Sequence, residues 1–151
     1  MALTARDEQL HRTLRSNFPD YASLCLKIRP KEGKRLVPLR LNKVQRVLHE
    51  TAEKQLRETG KIRLLILKAR QPGCSTYVEG RFYWKTSHSK GVRAFILTHT
   101  DAATGNLFAI AKRYHDNMPP EMQPHTKAAN AHELDFGRLD SGYRVGTARD
   151  K

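Results

Sequence analysis

Within the nine residues 68–76, Lys68, Arg70, Ser75 and Thr76 stand on either side of a Pro72-Gly73 break. Their types suit the binding of phosphate. Arg70 offers a planar fork that takes two oxygens, and Lys68 offers a point charge. Gly73 lets the backbone approach closely, and the free N–H groups at a helix start hold anions. A hydroxyl at Ser75 or Thr76 would complete the set as a Mg²⁺ ligand. The usual phosphate-loop pattern G-x-x-x-x-G-K-[ST] places Gly where this chain has Lys68 and Lys where it has Cys74. The cation must then come from Lys68 or Arg70. An ordinary strand-to-helix turn with exposed basic residues reads from the same stretch.

Positioning such a loop needs a strand before it and a helix after it. Leu64-Leu65-Ile66-Leu67 is an unbroken apolar run, as in a strand buried on both faces of a parallel sheet, so a central strand is predicted over about 62–68. A helix is predicted from Ser75 to about Ser87, ending near Lys90-Gly91, and a second β run covers 92–97. One helix between the two runs is what a right-handed βαβ crossover requires. A further helix follows over about 101–117, capped by Thr100 or Asp101. The proline-rich stretch 118–124 reads as a loop, and 133–136 and 143–147 as strands about a 137–142 turn. The polar group Thr98-His99-Thr100-Asp101 falls past the second β run, where α/β sheets place ligands; it could contact phosphate or DNA backbone, or simply start the next helix.

Upstream, residues 5–17 read as a helix with Leu3, Leu10, Leu14 and Phe18 on one stripe, giving an N-terminal helical arm over 1–22. Residues 24–28 and 36–41 flank Pro30-Lys31-Glu32-Gly33-Lys34 as a hairpin, with Pro38 confining the second strand to an edge. Asn42 starts a helix whose apolar face is Val44, Val47, Leu48, Ala52 and Leu56, and Thr59-Gly60 ends it. Asn42-x-x-Gln45 reads two ways. Gln45 could recognise adenine with its paired donor and acceptor, or bond back to the Asn42 backbone in a capping box.

The chain has 151 residues with 28 Lys+Arg against 15 Asp+Glu, a net charge of +13 and a pI near 10.1. That excess favours a polyanionic partner, nucleic acid above all. Its 38% hydrophobic content and mean hydropathy of −0.67 imply a modest core and no membrane span. Cys25 and Cys74 suggest no disulfide framework and fit a reducing, cytoplasmic setting. His132-Glu133 begins like a zinc-protease signature, but Phe136 stands in place of the second His. Ser75 lacks the Gly-x-Ser-x-Gly context of a hydrolase nucleophile. Tyr83 and Trp84 read as core in preference to a base-stacking platform.

Leu41-Asn42-x-x-Gln45, followed by Lys68-Ala69-Arg70-Gln71-Pro72-Gly73-Cys74-Ser75-Thr76, resembles the large terminase subunit of tailed bacteriophages over roughly residues 36–148. In that family the loop lysine is often displaced to the start of the motif, with Arg-Gln following. The 95–100 segment looks like the helicase-type motif after the next strand. The resemblance implies a P-loop NTPase-type, helicase-like α/β sheet of mainly parallel strands flanked by helices, here truncated, with residues 23–151 as the N-terminal part of the ATPase domain. It implies ATP held by Gln45 and residues 68–76 (Lys68, Arg70, Gln71, Pro72, Gly73, Cys74, Ser75 and Thr76), Lys68 and Arg70 acting on the phosphates, and Mg²⁺ at Ser75 or Thr76. It further implies double-stranded DNA as substrate, the small terminase subunit and portal as partners, an oligomeric motor, and the host cytoplasm as location. The acidic Mg²⁺-activating motif and the nuclease carboxylates of that family are not within these residues, so hydrolysis is expected of the full-length protein. A non-catalytic basic nucleic-acid-binding module and a helicase-like DNA remodeller are the alternatives.

Overall fold

Polar side chains set most of the helix starts. In the computed structural model, which describes residues 5–69, 73–130 and 132–148, α1 (Ala5–Ser16) gives way at once to α2 (Phe18–Cys25). Asn17 makes the junction. Its side chain accepts a hydrogen bond from Asp20 N at 3.1 Å, and Pro19 occupies the first turn, where a missing N–H costs nothing. The first helix agrees with the sequence; α2 does not, since 24–28 was expected to be strand. The Asn17 cap and Pro19 were the signal for it. Of the expected stripe, Leu14 and Phe18 are buried, Leu10 is half exposed, and Leu3 lies outside the described residues.

The hairpin forms, with strands cut to β1 (Lys27–Ile28) and β2 (Val37–Pro38) in antiparallel register. Pro38 has no N–H to give a longer ladder. Leu39 N extends the pairing by donating to Leu26 O at 2.9 Å, and both side chains are buried. α3 (Lys43–Thr59) runs from the Asn42 cap to Gly60, which takes the left-handed conformation at φ 70°.

After α4 (Cys74–His88) come β3 (Arg93–Thr98), α5 (Asp101–Asp116), β4 (Ala128–Ala129), β5 (Glu133–Phe136) and β6 (Ser141–Thr147). Thr100 caps α5, accepting from Ala103 N at 3.1 Å. The sheet order is β3-β6-β5-β4. β3 and β6 are parallel, with Arg93 opposite Gly142 and Thr98 opposite Thr147, whereas β5 pairs antiparallel with both β6 and β4. The expectation of a mainly parallel sheet is therefore corrected to a mixed one. The cause is the tight turn at Gly137–Leu139, closed by Asp140 at φ 46°, which obliges β5 and β6 to run in opposite directions.

A second correction concerns 62–68. These residues form no strand and pair with no other segment among the described residues. Leu65 and Leu67 are fully exposed, at 102% and 101%. An apolar run of this kind holds strand conformation only with neighbours on its edges and cover on its faces; among the described residues it has no strand neighbour, and Leu65 and Leu67 have no cover. Gln55 holds its beginning instead: Nε2 donates to Arg63 O at 3.1 Å, and Arg63 N donates to Oε1 at 2.9 Å. The expected βαβ crossover between 62–68 and 92–97 is accordingly absent.

Helices cover one face of the sheet. Ala94, Ile96, Leu134, Phe136, Tyr143 and Val145 point into the core beneath α4 and α5, while Arg93, Phe95, Leu97 and Arg144 lie on the open face. α2 and α3 pack on α4 from the other side, and Trp84 Nε1 donates to Leu14 O at 3.0 Å, tying α1 to the same helix. Tyr83 and Trp84 are core residues, as expected. Among the described residues no helix is long and apolar enough to cross a membrane.

Candidate functional site

The start of α4 is built on backbone. Gly73, at φ 80°, is its N-cap and brings no side-chain cap; the first helical bond runs from Tyr77 N to Gly73 O at 3.1 Å. Gly73 therefore gives the first-turn N–H groups no side-chain acceptor of the kind that Asn17, Asn42 and Thr100 provide at the starts of α2, α3 and α5. Such groups, with the positive end of the helix dipole, suit an anion.

Gln45 fixes this turn. Its Nε2 donates to Gly73 O at 2.8 Å, its Oε1 accepts from Asn42 N at 3.0 Å, and its own N donates to Asn42 Oδ1 at 2.9 Å. The capping box is formed, and the same amide extends it to the loop. Gln45 is only 4% exposed, so little of its amide remains open to a base edge. A Cβ on Gly73 would lie 2.7 Å from Gln45 Nε2 and 3.4 Å from Asn42 Nδ2. Both the left-handed backbone and the close approach demand glycine there.

The remaining loop residues are placed unevenly. Lys68 is exposed on the unpaired segment before the loop, Ser75 is exposed in the first turn, Thr76 is half-buried, and Cys74 is buried. Thr76 O accepts from Tyr114 Oη at 3.0 Å, which anchors the turn to α5. Arg70, Gln71 and Pro72, each expected to bind ATP, lie outside the described residues. The structure thus brings Gln45, Gly73 and the 74–76 turn together, and leaves Lys68 without an ion pair among the described residues.

Behind the turn lies a polar cluster that sequence reasoning missed. Arg81, 6% exposed, reaches Glu53 on α3 at 2.6 Å and lies 3.4 Å from both Tyr77 Oη and His49 Nδ1. His49 Nδ1 and Tyr77 Oη are 3.1 Å apart. Burial works against the Glu53 carboxylate, but the Arg81 hydrogen bond and charge outweigh it and hold its pKa below the usual range. Burial and the Arg81 charge together lower the pKa of His49, so it stays neutral and accepts from the guanidinium. A glutamate and an arginine 28 positions apart on separate helices leave no local pattern to read.

Glu79 was also missed. It is 1% exposed, its Oε2 has no hydrogen-bond partner, and burial raises its pKa to about 8. Thr98, Thr100 and Asp101 resolve into structure. Thr98 Oγ1 lies 2.6 Å from Thr104 Oγ1, Thr104 lies 2.7 Å from Thr147, and Thr147 donates to Asp101 Oδ1 at 2.6 Å. That hydroxyl chain locks the ends of β3 and β6 to the start of α5. Both cysteines are free and buried, and no cluster of metal-ligating side chains occurs among the described residues. Compared with known proteins, the chain matches neither a protein-family model nor a curated protein.

Proposed function

We propose that this chain is the nucleotide-binding part of a DNA-translocating ATPase of the terminase large-subunit kind, taking ATP on the 68–76 loop. The observation that carries the reading is Gly73: left-handed, clamped by Gln45, with room for a Cβ only if the Gln45 amide moves, and opening a helix without a side-chain cap. A loop built that way suits phosphate oxygens better than it suits a plain connection. The hydroxyls of Ser75 and Thr76 stand in the first turn, where one of them would hold Mg²⁺, whose role is to neutralise charge on the phosphates. Lys68 and Arg70 supply the displaced cation. Gln45 positions the turn and does not chiefly read the base, because its amide is already engaged at both ends.

Equilibrium binding of a fluorescent ATP analogue, with Mg²⁺, tests this in the wild type, Lys68→Ala and Arg70→Ala. Loss of a charge-assisted phosphate contact should weaken binding by roughly tenfold or more in at least one variant. Unchanged affinity in both would refute the displaced-cation reading.

A further inference from the structure

The hairpin upstream of α3 carries a charge pattern that the phosphate loop does not use. Between residues 27 and 40 stand six cations, Lys27, Arg29, Lys31, Lys34, Arg35 and Arg40, against one acid, Glu32. Four cations outside the hairpin sit in ion pairs, Arg81 with Glu53, Arg93 with Asp140, Lys112 with Asp116 and Lys54 with Glu58, while others, Arg57 and Lys68 among them, enter none among the described residues. Those of the hairpin enter no ion pair among the described residues, and all but the half-buried Lys27 are exposed. The ribbon is held at its base by Leu26 and Leu39, both within the core, and by the β1–β2 pairing. Gly33, at φ 116°, turns its tip.

We infer that this hairpin grips the phosphodiester backbone of duplex DNA. A firmly based ribbon with unpaired cations offers phosphate contacts at little ordering cost. It contains no aromatic residue between 27 and 40, so it has no platform on which the bases of a single strand could stack. Backbone charge is what it can recognise, and a duplex presents that charge most densely. The inference shares its DNA partner with the function proposed above but rests on other residues. Three residues separate β2 from Asn42, whose Nδ2 lies 3.4 Å from where a Cβ on Gly73 would stand, so the base of the hairpin lies near the turn that opens α4.

The test is a salt titration of binding to a mixed-sequence duplex, with the Lys31→Gln, Lys34→Gln, Arg35→Gln triple variant beside a control triple, Arg12→Gln, Arg57→Gln, Lys90→Gln. All six positions are exposed, so both proteins should fold. The hairpin triple should weaken duplex binding by about tenfold or more and flatten the log-affinity against log-salt slope by roughly two to three. The control should change both far less. Equal losses in the two triples, or no loss in the hairpin triple, would overturn the assignment. So would single-stranded DNA or anionic phospholipid vesicles binding the wild type as well as the duplex and losing as much in the hairpin triple. ATP-analogue binding is read on the same proteins. Retained ATP binding with lost duplex binding supports a separate grip, and parallel loss of both would mean that the hairpin serves the nucleotide phosphates instead. Absence of ATP binding in the wild type would defeat the ATPase reading without touching the hairpin result.

Discussion

Two carboxylates in this molecule show how the same side chain takes opposite roles. Glu53 is half-buried against Arg81 and keeps its charge; Glu79 is buried with one oxygen unpartnered and keeps its proton to about pH 8. An unfolded, solvated Glu79 releases that proton near pH 4.5. Between those values the folded state holds more protons than the unfolded one, so its stability falls as pH rises through the window. Glu79→Gln removes the titration while keeping the shape. Chemical denaturation should find the variant more stable by on the order of 2–3 kcal/mol at neutral pH, with the gain shrinking toward pH 4.5. An equal gain at all pH values would show that burial does not raise this pKa. Glu79 was not legible in the sequence because α4 reads as weakly amphipathic. It is wrapped by neighbours on two sides, and no local pattern says where its one orphaned carboxyl lies.

At the scale of elements, helix ends were the legible part and strand pairing the illegible part. Asn42 with Gln45 and Thr100 with Ala103 are local chemistry, fixed within three residues, and both form as the sequence indicates. Gly60 and Gly73 were likewise recognisable as breaks, but they differ in what surrounds them. Gly60 at φ 70° has open space, whereas Gly73 at φ 80° has Gln45 within 2.7 Å of any added Cβ. Gly60→Ala should therefore lose only the backbone term of about 1–2 kcal/mol. Gly73→Ala should lose more, together with nucleotide binding, because the Gln45 bond must also give way. Denaturant unfolding of the two variants decides the matter, and equal losses would mean that the clamp adds nothing. The run at 64–67 was misread for the opposite reason. Its composition is that of a buried strand, but a strand is a property of pairs, and composition says nothing about whether a neighbour is there.

For the molecule as a whole, the α/β class follows from the sequence, while the single helical layer and the open face it leaves do not. Leu65, Leu67, Phe95 and Leu97 are exposed, and among the described residues β3 is an edge strand with no partner on its outer side. Surfaces of this kind drive association between chains. Sedimentation of the purified chain should show concentration-dependent self-association that Leu65→Lys with Leu67→Lys reduces, without a fall in melting temperature, since neither side chain is buried. A double variant that associates as the wild type does would place the sticky surface elsewhere. Gln45 sets a different property of the whole. One side chain holds the first turn of α3 and the carbonyl that starts α4, so the two helix beginnings open or close as a unit. Amide protons there, at Gln45 and Tyr77, would then exchange with solvent at matched free energies and gain protection together when phosphate fills the turn. Ligand binding at the loop would be recorded 28 residues upstream, in the cooperativity of local unfolding.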